Sequence, residues 1–177
     1  MSTQQFQGPV EMLEGLELKG NKLRGATLPV VSITDATFTV RAEESGTIFT
    51  LNRAAGITVT LPAAVAGLVY EFYIGTTFTG DSGIINTASS ADTLTGAIQI
   101  FDVDDKGTHT AMNEDVATIG WSQPAAADHQ IVINAATTSN TKGAMAGGHL
   151  VYKCVSDALW SVSGFLIGDG TLVTPFT

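Results

Sequence analysis

The feature that most constrains this chain is a strict two-residue alternation of apolar and polar side chains, repeated in short runs and broken by Gly, Asn, Asp and Pro. Ile57-Thr58-Val59-Thr60-Leu61 turns Ile57, Val59 and Leu61 to one side and both threonines to the other. Leu68 to Ile74 does the same with Leu68, Tyr70, Phe72 and Ile74, and Gln130 to Asn134 with Ile131 and Ile133. Such a period belongs to a strand with one buried face. Val31 to Ile33, Thr37 to Arg41, Thr47 to Leu51, Leu150 to Val155 and Leu159 to Ile167 read as further strands, with Ser156-Asp157-Ala158 as a turn between the last two. Runs of about five residues with turn signals every 8–12 predict an all-β fold. The expected architecture is an antiparallel β-sandwich, jelly-roll-like. No strand–helix alternation is present to build a parallel doubly wound sheet.

Composition fits a strand-rich chain. Of 177 residues, 24 are Thr, 21 Ala and 19 Gly. Thr joins a branched Cβ suited to strands with a hydroxyl suited to a wet face. Hydrophobic residues make up 44%, enough to bury a core and exclude intrinsic disorder. Only 14% are charged, and 8 basic against 17 acidic residues give a net charge of −9. With no basic run, the chain is not expected to bind nucleic acid, which requires clustered cations. The N-terminus lacks the basic and apolar regions of a secretory signal. The longest near-apolar run, Pro62 to Tyr70, is too short for a bilayer, so no membrane partner is expected and the protein should be made in the cytosol.

Two regions are predicted: an N-terminal arm over residues 1–28 and a β-sandwich domain over 29–177. In the arm, Leu16-Glu17-Leu18-Lys19 and Lys22-Leu23-Arg24 flank Gly20-Asn21, a two-residue hairpin turn of the Gly-first type that pairs Lys19 with Lys22. That hairpin sets Leu18 opposite Leu23 and Glu17 opposite Arg24. A short helix over Pro9 to Leu18 is the other reading. An isolated hairpin is marginal in water, so Leu13, Leu16, Leu18 and Leu23 need a surface to cover them. These leucines, with Lys19, Lys22 and Arg24, are the candidate partner-binding residues. The body beyond them holds 5 basic and 14 acidic residues.

Motifs for chemistry are weak. Asp102-Val103-Asp104-Asp105-Lys106-Gly107 places Gly sixth, as a calcium loop does, but position twelve is Asn113, with Glu114 one beyond. It reads as an acidic hairpin turn, with a cation held between subunits as the other reading. His109, His129 and His149 lack metal-ligand spacing. No nucleophile elbow or phosphate loop is present, so neither a catalytic role nor a cofactor is expected. Cys154 lies in a strand-like run and reads as a buried hydrophobe. Trp121 and Trp160, with Tyr70, Phe72 and Tyr73, could stack on sugars, but aromatics at alternating positions read first as core. Tyr73, opposite in direction to Phe72, is the candidate interface contact. Asn86 to Thr95 and Ala135 to Gly148 are predicted surface loops.

Two stretches carry a family resemblance. One runs Ser45-Gly46-Thr47-Ile48-Phe49-Thr50-Leu51, through Ala54-Ala55-Gly56 and Val59-Thr60-Leu61-Pro62, to Ala66-Gly67-Leu68-Val69-Tyr70-Glu71-Phe72. The other is Val155-Ser156-Asp157-Ala158-Leu159-Trp160-Ser161-Val162-Ser163-Gly164, in which Ala158 stands where the family often has Gly. Together they resemble a family of tailed-bacteriophage virion proteins. The resemblance implies a non-enzymatic capsid decoration (cement) protein, a homotrimer on the capsid surface of the virion whose partner is the major capsid protein. The alternative that it admits is a short tail-fibre or spike component that recognises host surface glycans, and assembly would take place in the host cytoplasm.

Overall fold

The computed structural model describes residues 27–80, 82–102, 119–133, 141–169 and 172–177. The candidate arm residues Leu13 to Arg24, most of the acidic turn after Asp102, and His109 lie outside them. The strands are β1 (Val30–Ile33), β2 (Thr37–Thr39), β3 (Ile48–Leu51), β4 (Thr58–Thr60), β5 (Val69–Ile74), β6 (Gly83–Asn86), β7 (Thr93–Asp102), β8 (Ile119–Ser122), β9 (Gln130–Ile133), β10 (His149–Ser156) and β11 (Leu159–Gly168). A 3-10 turn, Ala42–Glu44, is closed by the Glu44 carboxylate accepting from Arg41 N–H at 2.8 Å.

The fold is all-β, as the alternation requires. The strands form a seven-stranded sheet, β1-β3-β5-β10-β11-β7-β8, and a four-stranded sheet, β2-β4-β6-β9. Both contribute to one core, which includes Phe49, Phe72, Tyr152 and Trp160 from the larger sheet and Val59, Ile85 and Ile131 from the smaller. Phe38 of β2 meets Phe49 of β3 across the core at 5.6 Å between ring centroids.

The expected antiparallel pairing is corrected. β1–β3, β3–β5, β2–β4, β4–β6 and β7–β11 are parallel; β5–β10, β10–β11, β6–β9 and β7–β8 are antiparallel. The reason lies in the connections. From β1 to β6 the chain changes sheet at every turn, so each strand of one sheet serves as the crossover between two parallel strands of the other. The result is three stacked rungs, β1–β2, β3–β4 and β5–β6. Equivalent side chains pile up inside them: Val31 over Phe49 over Phe72, Ile33 over Leu51 over Ile74, and Phe38 over Val59 over Ile85. Strand β10 then pairs with β5, and β11 with β10, both in antiparallel fashion.

The end of the stack at β8 and β9 is closed by the last residues. Phe176 is buried and bridges Ile131, Val132 N–H donates to Pro175 O at 2.8 Å, and the Ser122 and Thr174 hydroxyls are 2.8 Å apart.

Candidate binding surface

The stretches that carry the family resemblance are folding elements. Gly46 opens β3 with φ +87, and its N–H donates to Val69 O while Ser45 Oγ accepts from Val69 N–H. Gly56 closes the Ala54-Ala55-Gly56 turn at φ +88, where Arg53 Nη1 donates to Gly56 O. In the Ala66-Gly67-Leu68 turn, Gly67 N–H donates to Cys154 O at 2.9 Å, and Cys154 N–H returns to Leu68 O at 2.8 Å. The early stretch is thereby tied to the strand that leads into the late one, and the Tyr70 ring lies 6.0 Å from Trp160. Ala158 takes a left-handed conformation that favours glycine, with φ +67.

Burial decides the chemistry of these residues. Tyr70 is fully buried, its hydroxyl donates to Arg41 O at 3.1 Å, and desolvation, with Glu44 beside it, pushes its pKa up to about 12. Burial likewise raises Tyr152 and Cys154, the latter also through the charge of Asp157. Cys154 is buried, with its Sγ–H directed at Ser156 O, so its thiol is masked as the sequence suggested.

Among the described residues, the outer face of the larger sheet carries exposed aromatic side chains. The register carries one row across all seven strands: Ser32, Thr50, Tyr73, His149, Phe165, Gln99 and Trp121. At about 4.8 Å per strand the row spans roughly 29 Å. It contains no Asp, Glu, Lys or Arg. Tyr73 stacks on His149 with centroids 4.2 Å apart, His149 meets Phe165 edge-on at 6.4 Å, and Phe165 meets Phe101 at 5.7 Å. Tyr73 is 37% exposed and Trp121 70%. One row away, Glu71 Oε2 stands 3.3 Å from His149 Nε2, within ion-pair reach but without the alignment of a hydrogen bond. Beneath Trp121 a cavity of about 120 Å³ is lined by Ile100, Ser122 and the Leu172–Thr174 segment.

Tyr73 is the outward side chain that the alternation indicated. Trp121 differs from its core reading. It lies on the edge strand β8, where no neighbouring strand covers it among the described residues. His129 sits at the head of β9 with its backbone N–H on Thr177 O, apart from the row. Among the described residues no cluster of three or more His, Cys, Asp or Glu could hold a metal ion, and no helix is long and apolar enough to cross a membrane. The face is an aromatic and hydroxyl platform, suited to stacking and desolvation. Comparison of the chain with protein-family models, with curated proteins and with solved structures returns no match.

Proposed function

We propose that this chain is a non-enzymatic virion structural protein that binds the outside of a phage capsid and stabilises it as a homotrimer. The observation that carries this reading is that the two stretches resembling phage virion proteins meet in one core, where the Tyr70 ring of β5 lies 6.0 Å from Trp160 of β11 and β10 pairs with both strands, so the likeness is to one folded module. In this reading the two sheets serve as the sandwich module on the capsid surface. The uncharged row from Tyr73 to Trp121 makes contact with further copies, and Lys19, Lys22 and Arg24 face the major capsid protein.

Such a protein acts by mass action. A ligand that binds only the assembled shell stabilises it by about 2.7 kcal/mol per site at a hundredfold excess over Kd. Trp121→Ala should leave the fold intact, because the ring is mostly exposed, yet shift the sedimentation coefficient from trimer toward monomer. A variant that stays trimeric removes the row from the self-contact.

The exposure of Trp121 and Tyr73 also favours a second reading, a short tail-fibre or spike component that stacks on host glycans. Glycan-array binding that is lost in Trp121→Ala, with no binding to capsids, would select that reading.

A further inference from the structure

The outer face of the larger sheet concentrates its charge at one point. Beside the row from Ser32 to Trp121 runs a second, in which Val30, Ile48, Glu71, Val151, Ser163 and Ala97 stand opposite one another in turn. Together the two rows hold one carboxylate, Glu71, one histidine, His149, and no Lys or Arg. These two residues lie on β5 and β10, central strands with a neighbour on each side, and their side chains meet.

Rings hold His149 in place. Its imidazole lies within 15° of parallel to the Tyr73 ring at 4.2 Å and meets Phe165 edge-on. This orientation brings Nε2 to 3.3 Å from Glu71 Oε2. The His149 side chain is 22% exposed and that of Glu71 31%, while Nε2 itself is buried without a hydrogen bond. Among the described residues, β5 presents Glu71 and Tyr73 to the ring, and β11 presents only the uncharged Phe165 and Ser163. The Gly147-Gly148 segment that leads into β10 carries no charge. Lys153 lies four residues along β10 and is exposed.

This geometry suits an imidazolium. In a neutral ring, Nε2 either turns a lone pair toward the carboxylate or offers it a poorly aligned N–H. A positive ring is attracted to the carboxylate whatever the alignment, because Coulomb attraction has no angular requirement. It also gains from the Tyr73 face, which lies within cation–π reach. Histidine is the side chain whose charge ordinarily changes between about pH 5 and 8.

Covering the two rows takes the remaining water from Glu71. A carboxylate buried without a partner is strongly unfavourable, and one paired with a cation is far less so. Only His149 can supply a positive charge within these rows. We infer that association of copies through this face takes up one proton per chain at His149, so that Glu71 and His149 enter the contact as an ion pair. The inference rests on the reading of the row as a self-contact. Because the associated state holds the extra proton, assembly tightens as pH falls through the histidine range and loosens as pH rises.

Sedimentation equilibrium of the full chain at about pH 6 and about pH 8, at constant ionic strength, tests it. The trimerisation constant should fall at least about tenfold from the lower pH to the higher, since three protons leave per trimer. Glu71→Gln keeps the size of the side chain and removes its charge, so it should trimerise more tightly than wild type at the higher pH and lose most of the pH dependence. His149→Gln should lose most of it too. A wild-type constant that is equal at the two pH values, or larger at the higher one, overturns the inference and leaves the self-contact standing. A pH dependence kept in full by Glu71→Gln also overturns it, and assigns the effect to the other histidines or to the net charge of −9. Chains that are monomeric at both pH values, or trimers that survive Trp121→Ala, remove the self-contact itself and the inference with it.

Discussion

Ala158 is the only described non-glycine residue with positive φ, at +67. It is the second residue of the Asp157-Ala158 turn between β10 and β11, where Ser156 pairs with Leu159. An L-residue in this region suffers a clash of Cβ with the carbonyl that costs about 1–2 kcal/mol. Ala158→Gly removes that clash. It also gives the unfolded chain more backbone freedom, an opposing effect of about 0.4–1 kcal/mol. The difference leaves a stabilisation of roughly 0.5–1 kcal/mol, or about 1–4 °C in Tm for a chain of this size. Thermal unfolding followed by circular dichroism reads it directly, provided that unfolding is reversible. Ala158→Val should move Tm the other way by more than the glycine raises it, because a branched Cβ is worse at positive φ. A glycine variant with unchanged or lower Tm would refute the assignment of strain to this turn.

Three further outcomes follow from the same geometry. Gly67→Ala, at φ +99 with open space around it, should cost only the conformational term of about 1–2 kcal/mol. Gly164→Ala, at φ +133 with its new Cβ driven into the His149 carbonyl of β10, should cost at least about 3 kcal/mol and lower Tm by roughly 6 °C or more. Equal losses at the two sites, measured by urea denaturation, would contradict the close approach at Gly164. Phe176→Ala should destabilise by about 3 kcal/mol in the same assay, since the ring seals the β8–β9 end; a loss under about 1 kcal/mol would mean that the last residues are not docked. Tyr70 is held protonated by burial, with its pKa raised from 10 to about 12, so its contribution is fully present below pH 10 and is lost as pH rises through 12. Stability should fall over that window, and Tyr70→Phe should reduce the fall; an unaltered pH profile would contradict the burial effect.

The sequence carried the strands better than their pairing. Alternation at Ile57–Leu61 and Leu68–Ile74 places Val59, Tyr70 and Phe72 in the core, because a two-residue period needs only one buried face. That same period is blind to strand direction. Short connections such as Thr34–Ala36 look like hairpin turns, yet they carry the chain to the opposite sheet, and this makes neighbours parallel. Three strands were obscured for local reasons. β6 has four residues beginning at a glycine, and β8 has four around Trp121. β7 begins inside the polar run Asn86 to Thr95 and is interrupted by Gly96, although Leu94, Ile98 and Ile100 keep the alternation. The outward row was half legible. Tyr73 declares itself by pointing away from Phe72, whereas Trp121, His149 and Phe165 join it only through a register that links distant segments. The turn at Ala158 was not legible, because an alanine does not announce a left-handed position, and its φ of +67 emerges only from the structure.

The proposed function rests on contact with an assembled shell, and one measurement addresses it. The purified protein should be mixed with empty expanded heads of the phage that the proposed function implies and sedimented, and head melting then followed by calorimetry. The account predicts saturable co-sedimentation in multiples of three copies and a head transition that moves to higher temperature with added protein. Protein that stays in the supernatant, with the head transition unmoved, would contradict it.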